Sequence, residues 1–71
     1  MKRTPVDSSN LASVGYDPTD QTLEIEFNNR SIYQYSNVPE EVYAELMSAD
    51  SHGRYFNHNI KGAYPYRQVS R

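Results

Sequence analysis

The 71-residue sequence has no cysteine, no tryptophan and only three glycines. Without cysteine there is no disulfide framework, no thiolate metal site and no low-pKa thiol nucleophile. Three scattered glycines make no phosphate-cradling loop. Strongly apolar side chains are scarce too, since Leu, Ile, Val and Phe together number 13, a share that signals disorder when net charge is large. Here the net charge is only −2, and seven tyrosines supply the missing apolar area. The chain therefore reads as folded. A domain this small buries only ~60% of the surface its unfolded chain exposes, so without covalent staples its margin of stability is expected to be thin. Each buried tyrosine also brings a hydroxyl that needs a partner, which predicts a tyrosine-rich rim around the core.

No apolar run approaches the ~20 residues of a membrane span. No apolar segment follows Met1-Lys2-Arg3 to form a secretory signal either, so a cytoplasmic address without membrane contact is expected. Charge is unevenly spread. Residues 1–51 carry Lys2, Arg3 and Arg30 against all nine acids, whereas residues 52–71 carry Arg54, Lys61, Arg67 and Arg71 against none. The folded molecule is thus expected to be electrically two-sided.

Residues 1–10 are polar and read as a partly ordered lead-in, residues 11–66 as one domain, and residues 67–71 as a tail. Leu11–Tyr16 reads as a strand with Val14 and Tyr16 on one face and Leu11 and Ser13 on the other, and Gly15 marks a place where another group comes close. Asp17-Pro18-Thr19-Asp20 is a turn in which Pro fixes φ and Asp caps its own backbone. Thr22–Phe27 is a half-buried antiparallel strand, Leu23, Ile25 and Phe27 alternating with Glu24 and Glu26. The turn after it sets the direction of the next tyrosines. A two-residue loop would send Tyr33 and Tyr35 outward beside the glutamates; a three-residue loop through Asn28-Asn29-Arg30 pairs Ile25 with Tyr33 and Leu23 with Tyr35. The second is preferred because it brings two large rings to a core short of aliphatics. It requires Arg30 at positive φ, uncommon for a non-Gly residue.

Val38-Pro39-Glu40-Glu41 opens a helix whose inner side is Val42, Leu46 and Ala49, with Tyr43 and Met47 at its edge. After a break at Ser48–Ser51, Ser51 is a good N-cap for a second helix. His52, Phe56, Ile60 and Ala63 share its core face, Gly53 permits close approach, and Gly62 ends it. The expected fold is α+β: a three-stranded antiparallel meander followed by two helices packed on one face, β-β-β-α-α.

Val6-Asp7-Ser8-Ser9, Val14-Gly15-Tyr16-Asp17, Leu23–Phe27, Tyr33-Gln34-Tyr35, Val38-Pro39 and Ser51-His52-Gly53-Arg54-Tyr55-Phe56-Asn57 with Ile60-Lys61 stand in an order that resembles the KTSC domain. That family takes its name from the C-terminus of some lysyl-tRNA synthetases and also occurs as short stand-alone bacterial and phage proteins. The resemblance spans roughly residues 6–66 and implies a three-strand meander followed by helices. It implies no established activity, although the synthetase context suggests RNA binding. The chain departs from the pattern at Arg30, where members often carry Gly.

On the outer side of the second helix Arg54, His58 and Lys61 follow at i, i+4 and i+7. With Arg67 and the rings of Tyr55, Tyr64 and Tyr66 they have the make-up of a single-stranded nucleic-acid surface, cations tracking phosphates and rings stacking bases. Arg54, His58, Lys61, Tyr64, Tyr66 and Arg67 are the candidate contacts for single-stranded RNA or tRNA. The blander reading is a solvated helix face whose cations partly pair with Glu40, Glu41 and Glu45, with tyrosines that simply finish the core. An alternative function is a protein-interaction module docking through the tyrosine rim or an edge strand. Catalysis is not expected: Ser8, Ser9 and Ser51 suit turns and caps, and His52 and His58, six residues apart, fall on different helix faces. Nothing in the sequence asks for a cofactor or a metal. Asn57 and Asn59 are polar residues beside the core face that would satisfy strand-edge backbone groups.

Overall fold

The computed structural model describes residues 1–70. Its elements are β1 (Thr4–Pro5), β2 (Leu11–Asp17), β3 (Thr22–Phe27), β4 (Ile32–Tyr35), α1 (Glu40–Ser48), α2 (His52–Asn59) and β5 (Tyr66–Ser70). The strands form one antiparallel sheet in the order β1-β2-β3-β4-β5. The α+β class and the two helices agree with the sequence reading, but the sheet has five strands rather than three. The two additional strands arise from segments with no buried face. Thr4–Pro5 is too short to show a period, and every residue of Tyr66–Ser70 is exposed, so only backbone pairing reveals either one. Arg71, counted above among the cations, lies outside the described residues.

The hairpin from β3 to β4 follows the three-residue loop. Ile25 pairs with Tyr33 and Leu23 with Tyr35, and Arg30 sits at φ 76°. Asn29 supports this turn by accepting the Ser31 N–H on its Oδ1 at 3.0 Å. At the preceding turn the Asp17 carboxylate accepts the Thr19 N–H at 2.9 Å, as expected of a self-capping Asp.

Two expectations are corrected in the core. Leu11 was assigned to the face opposite Val14, yet both side chains are fully buried. The cause is a bulge between Leu11 and Ser13, where the extra residue Ala12 resets the two-residue alternation. Ala63, assigned to the core face of the second helix, is exposed, because α2 ends at Asn59 instead of running to Gly62. Ile60 caps it, the Ala63 N–H returns to the Ile60 carbonyl at 2.9 Å, and Gly62 supplies the left-handed residue of this turn at φ 80°.

The core lies between the sheet and the helices. Leu11, Val14, Leu23, Ile25 and Tyr35 come from strands, Val38, Leu46, Phe56 and Ile60 from the helices and their flanks. Tyr43 and Met47 pack half-buried at its margin, as the periodicity of α1 predicts, and Val42, expected on the inner side, is half-buried there with them. The tyrosine rim is also seen. Tyr16 stacks on Tyr43 with centroids 4.9 Å apart while its hydroxyl donates to the Val38 carbonyl at 2.5 Å.

The opposite sheet face carries a polar clasp. Residues Met1–Arg3 cross this face over Gly15, where an added Cβ would stand 2.8 Å from the Lys2 carbonyl oxygen. Arg3 then ion-pairs with Glu24 and donates from Nε to Ser13 Oγ at 2.9 Å. The Ser13 hydroxyl in turn donates to Glu26 Oε1 at 2.9 Å, and Gln34 donates to the second Glu24 oxygen at 2.8 Å. Burial alone would push the Glu24 carboxyl up, but the hydrogen bonds from Gln34 and Arg3, with the Arg3 charge, hold it below its ordinary value.

Candidate nucleic-acid interface

Between α2, the turn after β3 and the first residues of β5 lies an open groove of about 630 Å³. Its floor is aromatic. Phe27 meets Tyr33 and Phe56 edge-on at centroid distances of 5.7 and 5.4 Å, and Tyr35 meets Phe56 edge-on at 5.5 Å. Tyr66, on β5 opposite Tyr35, adds its ring 5.8 Å from Tyr33 and 5.6 Å from Tyr35. Tyr35 is closed off from solvent at 4% exposure, and burial beside the Tyr33 and Tyr66 hydroxyls pushes its phenol up to about 12. Tyr66, by contrast, is 61% exposed. The rim is polar, formed by Asn10, Asn28, Asn29, Asn57 and Lys61.

The six expected contacts are not gathered in one place. Lys61 and Tyr66 line the groove. Arg54 and His58 are exposed on the other flank of α2, where they border a shallower depression with Tyr55 and Asp50. Tyr64 is half-buried against the core and lines neither. Arg67 lies on the opposite face of the sheet, because consecutive strand residues alternate; it opposes Gln34 and donates to its Oε1 at 3.4 Å. The continuous stripe read from the sequence is therefore split by α2 and by the sheet.

Ion pairs of these cations with Glu40, Glu41 or Glu45 are not seen among the described residues either. Among the described residues, the ion pairs are those of Arg3 with Glu24 and Glu26. Glu45 instead accepts the Tyr55 hydroxyl at 2.6 Å; burial and this bond push the Tyr55 phenol up to about 12. Ser51 caps α2 by accepting the Arg54 N–H at 3.1 Å, and Ser8 accepts the backbone N–H groups of Asn10 and Leu11. His52 turns its Nδ1 to the Leu46 carbonyl at 2.8 Å, joining the two helices. Asn59 bonds to the Tyr55 carbonyl of its own helix, not to a strand edge.

Tyr33, Asn10 and Asn57 are among the groove residues that the sequence reading did not single out as contacts. Tyr33 was read as a core ring, and it is in fact shared between core and groove. A half-buried position next to an edge strand is the signal that was lost with β5.

Residues 7–64 match the model of the KTSC domain. The chain belongs to the KTSC domain family. A KTSC domain protein from Yersinia pestis of known structure is 45% identical, superposes with a TM-score of 0.95, and is covered over 97% of both chains. An uncharacterized protein of Stutzerimonas stutzeri is 51% identical over 61 residues, 86% of each chain. A lysine–tRNA ligase of a Nostoc species is 45% identical over 64 residues, which are 90% of this chain and 11% of the ligase. The KTSC fold is thus found both as a small protein and as a minor part of a much longer one.

Proposed function

We propose that this KTSC domain is an accessory module that binds single-stranded RNA in the groove between α2 and β5, with no catalytic role of its own. The carrying observation is that an exposed ring, Tyr66, and Lys61, a cation with no ion pair among the described residues, line one open groove floored by further rings. Such a surface stacks a base on Tyr66 and Tyr33 while Lys61 meets the adjoining phosphate; a stack of this kind is worth ~1–3 kcal/mol. Arg54 and His58, across the ridge of α2, extend the path for a strand leaving the groove. The likeness to part of a lysine–tRNA ligase supports an RNA, tRNA included, as the partner.

The test is fluorescence anisotropy with a labelled single-stranded RNA at two salt concentrations. Binding is expected to weaken with salt, to fall at least tenfold in Tyr66→Ala and Lys61→Glu, and to be little changed in Arg67→Glu, which alters the other face. No salt-dependent binding at tens of micromolar protein would end this reading.

A second reading, docking of a protein along the free edge of the sheet, draws on the full exposure of β5 and of Val69 within it. It predicts a mass that rises with concentration or with an added partner in sedimentation, and a charged residue placed at Val69 should abolish that rise.

A further inference from the structure

A row of side chains crosses the polar face of the sheet and stops at its open edge. Gly15 opposes Glu24, Glu24 opposes Gln34 and Gln34 opposes Arg67 in successive strands. Arg3, lying over Gly15, ion-pairs with Glu24. Gln34 donates from Nε2 to Glu24 Oε1 at 2.8 Å, which settles the orientation of its carboxamide and turns Oε1 to the edge, where it accepts from Arg67 Nη2 at 3.4 Å. Glu24 and Gln34 thus have a complementary neighbour on both sides, and Arg67 has one on the inner side alone. Arg67 is exposed, it makes no ion pair among the described residues, and residues 52–71 contain no acid to supply one locally.

The backbone at this edge is open as well. The Ser36 N–H donates to the Pro65 carbonyl at 2.8 Å, which sets the alternation of the antiparallel ladder between β4 and β5. In that alternation Arg67 turns its N–H and C=O to Gln34, while Tyr66 and Gln68 turn theirs away from β4. Every residue of β5 is exposed. The other edge, β1, is two residues long and Pro5 has no N–H. A further strand is therefore accommodated at β5.

We infer that β5 is a docking edge for an extended acidic segment of another protein, added antiparallel to β5 with a carboxylate directly opposite Arg67. This rests on the edge-docking reading, whose partner it names by chemistry, and it does not require the groove to bind RNA. A strand in that register exchanges backbone bonds with Tyr66 and Gln68. Its residue facing Arg67 then falls at the closer, non-hydrogen-bonded kind of pair, where side chains meet best. A guanidinium takes a carboxylate through two parallel N–H groups, so an acid there continues the row that begins at Arg3. The residue next to the acid falls on the other face, beside the exposed Tyr66 ring, which favours an apolar side chain. A second copy of this chain is a poor occupant, since the same register sets one Arg67 against the other and like charges directly opposite repel.

The experiment titrates the whole protein, by anisotropy, against short peptides that differ at one position: Ser-Thr-Val-Xaa-Val-Thr-Ser with Glu, Gln or Lys as Xaa, labelled at one end and amidated at the other. The Glu peptide should bind about fivefold more tightly than the Lys peptide, with Gln between them, and Arg67→Glu should reverse the order. In the unsubstituted protein the backbone amides of Tyr66 and Gln68 should gain protection from hydrogen exchange on adding the Glu peptide, while that of Arg67, already paired with β4, changes little; this arm does not depend on any variant folding. Equal binding of the three peptides with Tyr66 and Gln68 protected overturns the acid pairing and leaves the edge-docking reading standing. So does a Glu preference that survives Arg67→Glu. No binding of any peptide at millimolar concentration overturns both, and protection of those amides by single-stranded RNA alone would assign the edge to nucleic acid instead.

Discussion

Removing one side chain, Arg3, tests whether the segment before β2 is part of the fold. The Arg3 guanidinium is the ion-pair partner of Glu24, a carboxylate with only 7% of its surface exposed, and it also donates to Ser13. In Arg3→Ala the carboxylate keeps Gln34 but loses its charged partner. A hydrogen bond to a charged group contributes about 1.5–3 kcal/mol, and Arg3 remains partly solvated, so a loss of about 2 kcal/mol is expected. For a chain of this length that is a fall in Tm of roughly 8–16 °C. The pH dependence distinguishes a charge effect from simple loss of packing. The Glu24 pKa is lowered in the folded state, so its contribution is fully present above the unfolded carboxylate value, about 4.3, and is lost as pH falls through the lower folded value. Below that point Glu24 is protonated in both proteins, and the difference between them should narrow. Urea unfolding of both proteins at pH 7 and pH 3 measures this. A difference within about 0.5 kcal/mol at pH 7, or one that is undiminished at pH 3, would refute the reasoning.

Phe56→Ala should destabilise by ~3–5 kcal/mol, because the ring is 5% exposed and wedged between Phe27 and Tyr35. Should the alanine variant be too unstable to assay, Phe56→Leu should still unfold at lower urea; an unchanged midpoint in the leucine variant would count against the packing of α2. Arg30→Gly relieves a left-handed residue at φ 76° and should raise stability by roughly 0.5–1 kcal/mol in the same assay. In an ultraviolet titration, Tyr35 and Tyr55 should ionise last, near 12. Since the unfolded chain releases those protons near 10, folding stability should decline as pH rises from about 10 towards 12.

The hairpin between β3 and β4 was legible because two constraints agree: alternation places Leu23, Ile25 and Phe27 on one face, and only a three-residue loop adds Tyr33 and Tyr35 to it. The helices were legible in their cores for the same reason, with Leu46 and Phe56 on strongly periodic faces. What escaped has no such periodicity. Leu11 was misplaced because a bulge adds a residue without any sequence mark at Ala12. Glu24 read as a solvated outer residue, and only the fold brings Arg3 across to it from 21 positions away. Of the site, Lys61 and Tyr66 were found by charge and ring content. Arg67 was grouped with them because the segment after Gly62 was treated as merely extended; once it pairs as a strand, the two-residue period separates neighbours. Asn10 gave no signal and Asn57 was read only as a partner for strand-edge backbone groups, since a carboxamide becomes a candidate contact only after its partners have been counted.

That separation of neighbours makes the groove depend on a count. Tyr66 faces the rings and Arg67 faces the clasp solely because of where β5 enters its pairing with β4. Deleting or inserting one residue in the connection between Gly62 and Pro65 would shift the frame of the strand. A deletion would bring the Arg67 guanidinium opposite Tyr35 and Gln68 opposite Gln34, whereas an insertion would bring the Tyr66 phenol opposite Gln34, without any substitution in the strand. The length of that short connection therefore writes the chemistry of both faces.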